Sequence, residues 1–217
     1  MAGRSHDDLI RALGDELTPI RRLRPPALRA LGWLAIVAVI GIVLAATTDV
    51  GAMTRRMVAV SDQWLAVAGS TLTAVLAAFA AFQLDVPDRR SSWALLPLPA
   101  AALWILASGV GCFRTWLVPE TSVADLGEAQ ACLIFILGLS VPLSVVMLLM
   151  LRRGHALQPN LAAVMGGLAC AAAAATLLNF LHPYDAAVTD LAVHAGSVGA
   201  VVLANRWLGG RLLAAGK

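Results

Sequence analysis

Charge is scarce in this chain. Asp, Glu, Lys and Arg make up 13% of its 217 residues, against 59% apolar residues, and mean hydropathy is +0.80. A soluble globular domain carries about a quarter charged residues, so this composition excludes that class. The polar remainder between the apolar runs is too short to enclose a core of its own. A secretory start is also missing. Such a start runs from a basic segment straight into an apolar stretch and a small-residue cleavage site, whereas here a long polar and basic segment precedes the first apolar run. Catalytic patterns are absent as well: there is no paired-histidine metalloprotease motif, no Gly-rich phosphate cradle and no Ser-His-Asp order. The three cysteines form no CxxC. Ionisable residues are almost absent from the middle of the apolar runs, where a transporter would carry them. A b-type haem bundle needs facing histidine pairs at depth, and only His194 falls there. These absences point away from an enzyme. No internal repeat is visible.

What is present is a series of apolar runs near the length of about 20 residues that a bilayer core requires. They cover 31–47, 64–84, 93–110, 131–151, 161–178 and 191–205. Pro97, Pro99 and Pro142 lie in two of them, and membrane helices tolerate such prolines. The expected fold is all-α: a polytopic membrane bundle of six spans at 31–206, a cytoplasmic segment at 1–30 and a short cytoplasmic tail at 207–217. Small residues crowd the second and fifth runs and let helices approach closely.

Charge distribution sets the expected orientation. With the N-terminus inside, the cytoplasmic segments hold Arg4, Arg11, Arg21, Arg22, Arg24, Arg29, Arg89, Arg90, Arg152, Arg153, Arg206, Arg211 and Lys217. Only Arg55, Arg56 and Arg114 then lie outside, and Asp49, Asp62, Glu120, Asp125, Glu128, Asp185 and Asp190 join them. The positive-inside rule thus places both termini in the cytoplasm.

The N-terminal segment reads HDDLIRALGDELTP. Ser5 and Asp8 have the spacing of a capping box, and Asp7 and Asp8 suit the first turn of a helix. Leu9, Leu13 and Leu17 recur every four residues with Ile10 beside them, and Pro19 discourages continuation. A helix over 6–18 is expected. So short a helix is marginal alone in water and becomes ordered by burying its leucine stripe. Its acids, Asp7, Asp8, Asp15 and Glu16, make anionic lipid a poor partner. Its own bundle, or a cytoplasmic protein with a groove for spaced anchors, remains. The strap RRLRPP is a topology signal and headgroup anchor.

Metal and redox candidates gather on the outer face: Cys112, Cys132, His182 and Asp185, with Glu128 and His194 nearby. Thiolates and imidazoles suit copper or zinc, and two thiols outside could instead form a disulfide. Cys170, deep in the fifth run, packs as a small apolar residue. His6 and His155 are cytoplasmic and solvated.

DDLIRAL followed by PIRRLRPPALRALGWLA resembles the start of the NrsF family, bacterial inner-membrane anti-sigma factors of six spans. AFQLDVPDRRSSWALLPLPAAALW, GCFRTW, EAQACLIFILGLSVPL, LRRGHALQPNLAAVMGGLA and LNFLHPYDAAVTDLAVH extend the resemblance over essentially the whole chain. It implies that the N-terminal segment binds an extracytoplasmic-function sigma factor and keeps it from RNA polymerase. Asp7, Asp8, Leu9, Ile10, Leu13 and Leu17 would make that contact, with no direct nucleic-acid binding. It further implies release on a stress signal, with metal sensing or thiol redox chemistry at the outer face and copper or zinc as the candidate ion. By resemblance that role falls to Cys132. The last outer loop reads LHPYD, so His182 stands where a second cysteine is expected. Cys112, Asp185 and His194 are further donors. A small transporter or a cofactor-binding membrane redox component is the alternative class.

Overall fold

The computed structural model describes residues 6–15, 23–47, 51, 61–117, 126–181 and 188–214, with backbone alone at 61–63, 110–117, 126–129, 181 and 188–191. Regular structure among them is helical: α1 His6–Asp15, α2 Pro26–Ala45, α3 Ser61–Leu84, a 3-10 turn at Ser91–Leu95, α4 Leu98–Leu117, α5 Leu126–Leu151, α6 Pro159–Leu181 and α7 Val188–Ala204. A π turn at Asn205–Gly209 carries α7 on into α8, Gly210–Ala214.

Five helical segments are long and apolar enough to cross a membrane: Pro26–Ala45, Trp64–Leu84, Ser91–Gly109, Gln130–Leu151 and Pro159–Phe180. The expected sixth run corresponds to α7, of 17 residues. Without its π turn and α8, it falls a little short of the usual requirement.

Boundaries moved for local reasons. The first membrane helix starts at Pro26, five residues before the apolar run, because proline at N1 lacks only a donor that would be unsatisfied anyway. Arg29 and Ala30 therefore belong to the helix and not to the strap. Pro97 and Pro99 sit where the 3-10 turn gives way to α4, so they mark an entry and no mid-helix kink. Pro142 lies inside α5, which remains one helix through it. The stretch expected as a tail continues as helix, with Gly209, Gly210 and Leu213 buried.

α6 is the axis of the bundle. It packs against α2, α3, α5, α7 and α8, and 72% of its membrane window is buried, against 17% for α2. Composition explains this position. Ala162, Ala163, Ala169 and Ala171–Ala175 put only methyl groups on its surface, so neighbouring backbones approach closely. Gly69 on α3 serves the same end towards α4: a Cβ there would stand 2.8 Å from Trp104 N and Cα. Gly69→Val must therefore separate two backbones. A loss of about 1–3 kcal/mol is expected, read as a lower temperature at which the detergent-solubilised protein leaves its monodisperse peak.

One end of the bundle is defined by contacts between chain-distant residues. Arg29 at the start of α2 meets Asp85 just beyond α3 and the Met150 carbonyl near the end of α5. Gly154 lies against Asp85. The α7–α8 helix runs antiparallel to α6: Asn205 abuts Gly167, Gly209 abuts Ala163 and Gly210 abuts Asn160. The start of α2 and the end of α8 consequently lie at the same end.

Candidate functional site

Among the described residues nothing covers α1. None of its residues is buried, and Leu9, Ile10 and Leu13 are 47%, 66% and 57% exposed. At about 100° per residue these three fall within one arc of roughly 100°, with Asp7, Asp8 and Asp15 on the opposite side. An exposed Arg11–Asp8 pair at 3.8 Å spans one turn, and pairs of this kind contribute little. Ser5, Glu16, Leu17 and the expected extension to residue 18 lie outside the described residues.

Of the expected outer donors, Cys132 and His194 have described side chains. The Cys132 side chain is buried, 1% exposed. It sits in a small apolar cluster with Ile136, Ala174 and Leu178, flanked by Phe135 and Leu139. α5 thus presents it to α6. His194 is half-buried on α7. The side chains of Cys112 and Glu128, and His182 and Asp185 altogether, lie outside the described residues. Among the described residues no group of three or more His, Cys, Asp or Glu is placed to hold a metal ion.

The membrane-spanning interior holds hydroxyls and amides. Asn205 Nδ2 donates to Ser144 Oγ at 2.9 Å and to the Val201 carbonyl at 2.9 Å, and the Cys170 side chain is hydrogen-bonded to Ser144. Thr176 Oγ1 donates to Ser70 Oγ at 2.9 Å. These bonds tie α5, α6 and the π turn, and α3 to α6. In a bilayer each contributes on the order of 1 kcal/mol. Cys170 itself is fully buried in the main core.

Among the described residues, the buried charges lie at the end where α2 begins. Arg29 Nη1 donates to Asp85 Oδ2 at 2.7 Å, Nη2 donates to the Met150 carbonyl, and the guanidinium lies 4.9 Å from the centre of the Phe82 ring. Arg29 is 8% and Asp85 1% exposed. Burial pushes the Asp85 carboxyl above the ordinary carboxylate range, while the Arg29 bond and charge, and the charge of His155, pull it back. Asp85 Oδ1 has no hydrogen-bond partner.

The family model described as NrsF, negative regulator of sigma F, matches residues 13–214. The chain belongs to the NrsF family. No curated protein and no solved structure matches it. The NrsF match takes in every membrane helix and begins at Leu13, inside α1. Membership makes the chain a negative regulator of a sigma factor, a regulatory class and not an enzyme class.

Sequence reasoning missed the Arg29–Asp85 pair. Asp85 abuts the apolar run ending at Leu84, and Arg29 precedes the run beginning at Leu31 by two residues. Both lie on one side of the membrane in the expected topology. That coincidence of opposite charges at two apolar borders was the available signal.

Proposed function

We propose that this NrsF-family protein is an anti-sigma factor of the bacterial inner membrane that holds an extracytoplasmic-function sigma factor through α1. It releases that factor on a signal received at the opposite face. The observation that carries the reading is α1 itself: a charged helix with an uncovered apolar side, joined by a short basic strap to a membrane bundle. Leu9, Ile10, Leu13 and Leu17 enter a groove on the partner, and Asp7 and Asp8 meet a basic rim.

Six crossings, with both termini cytoplasmic, fit this reading. Thirteen of the 16 basic residues then lie inside, and the contacts of Arg29, Asp85, Met150, Asn160 and Gly210 gather at one end. α7 with its π turn and α8 supplies the sixth crossing alongside α6.

For the signal, Cys132 and His182 hold a copper or zinc ion, with Cys112, Asp185 or His194 as the third donor. A metal that shifts the held state from 99:1 to 1:99 must prefer the released packing by about 5.5 kcal/mol, which is why a third donor belongs in the proposal. Cys132→Ser combined with His182→Ala is expected to abolish induction of sigma-dependent transcription by added metal, with repression in its absence unchanged. Normal induction in that double variant removes the metal reading and leaves α1 untouched.

The holding step is tested by pull-down from the bacterium with the full-length protein and with a chain lacking residues 1–18. The full-length protein should recover a sigma factor and the shortened one should not. Recovery by both, or a coloured cofactor and substrate flux in place of a sigma factor, overturns the reading.

A further inference from the structure

α2 is packed lightly. Its buried residues are Arg29, Ala30 and Trp33, all in the first two turns, while Ile36, Val39, Ile42 and Val43 are exposed along the rest. The helix that carries the strap and α1 is therefore anchored chiefly by its first two turns, where Arg29 reaches into the bundle and buried Trp33 donates its Nε1 to the Leu143 carbonyl at 3.4 Å. Arg29 is not satisfied by its own helix. It draws on the carboxylate that follows α3, on the Met150 carbonyl of α5 and on the Phe82 ring of α3.

The grip is also energetically unfinished. A buried ion pair is often no more stable than well-packed apolar residues of similar volume, and here Asp85 Oδ1 is buried without a partner. Packing α2 did not require charge. A directional contact joining three elements suits a pin: parted while both groups stay buried it leaves each charge unpaired, so it opens only together with a movement of α2 or α5.

We infer that Arg29 and Asp85 are positioning residues for the sigma-binding helix: their contact, braced by the Met150 carbonyl, pins the first turns of α2, and opening it weakens the hold on the partner. α5 supplies the route to this pin. Cys132 stands near its far end and Met150 near this one, 18 residues and about 27 Å away along the axis. A shift or rotation of α5 at Cys132 moves the carbonyl that Arg29 uses.

This inference rests on the proposed capture of a sigma factor by α1, and two readouts separate their failures. The first is recovery of the sigma factor, identified by mass spectrometry, with full-length protein from the bacterium's membranes. The second is hydrogen exchange of amides 30–34 in the detergent-solubilised chain, which needs no sigma factor. Arg29→Gln and Asp85→Asn are expected to lower recovery about fivefold or more and to speed exchange at 30–34. Phe82→Leu keeps both charges and removes the ring beside the guanidinium, so it should move both readouts in the same direction by less. If the charge variants fail to accumulate in the membrane, Phe82→Leu decides. Recovery at or above the wild-type level, or lost recovery with unchanged exchange at 30–34, overturns the pin. A wild-type chain that recovers no sigma factor overturns the proposed function instead, and exchange still reports whether the pair holds α2.

Discussion

Leu13→Asp is expected to switch on the sigma-dependent genes without any signal. Leu13 is the middle of the three described apolar residues on α1 in angular terms, so a groove that takes Leu9 and Ile10 must take it too. Placing a carboxylate there removes an anchor and strands an unpaired charge, a cost of at least about 2 kcal/mol at a central contact. That corresponds to roughly a 30-fold loss of affinity. The bundle should be indifferent, because α1 contributes no buried residue. A transcriptional reporter and a membrane immunoblot read the two halves of this statement. Full repression by Leu13→Asp, with the protein present at its usual level, would remove α1 from the mechanism. Asp8→Ala should do much less, since rim charges contribute mainly to the association rate.

Asp85→Ala should cost the fold about 3–5 kcal/mol, because it leaves the Arg29 guanidinium buried without its carboxylate. Arg29 cannot escape to water cheaply: it is 8% exposed and closed in by Phe82 and Met150. Joint replacement, Arg29→Met with Asp85→Leu, removes the stranded charge together with its partner and should melt at or above the wild-type temperature. The contrast between single and double variants is the measurement, made by thermal loss of the monodisperse peak in detergent. A single variant that melts like the wild type would contradict the burial seen at this site.

Five of the membrane helices were legible because apolar run length is read directly against bilayer thickness. Their ends were less so. Run length stops at the last apolar residue, whereas helices continue until backbone geometry stops them, as α2 shows at Pro26 and α5 at Leu126. The 17-residue α7 is the hardest case: Asn205 and Arg206 interrupt the apolar run where the π turn at Asn205–Gly209 begins, and no composition signal announces that the helix continues. The spacing of Leu9 and Leu13 was read from period, and a helix is described over His6–Asp15 of the expected 6–18. The Arg29–Asp85 contact was not legible, because residues 56 positions apart meet only through the helix packing, and positive charge near a membrane border reads first as a topology signal. Cys132 was singled out by resemblance, and its role stays a proposal; its seat among Ile136, Ala174 and Leu178 was not legible, because it depends on which face α5 turns to α6.

The separation between α1 and α2 has a spatial consequence. Residues 16–25 link Asp15 to Pro26, and a chain of that length reaches about 35 Å at full stretch. A protein held by α1 is thus leashed within about one protein diameter of the lipid surface. On the proposed reading, such a tether adds confinement at the membrane to whatever surface α1 covers.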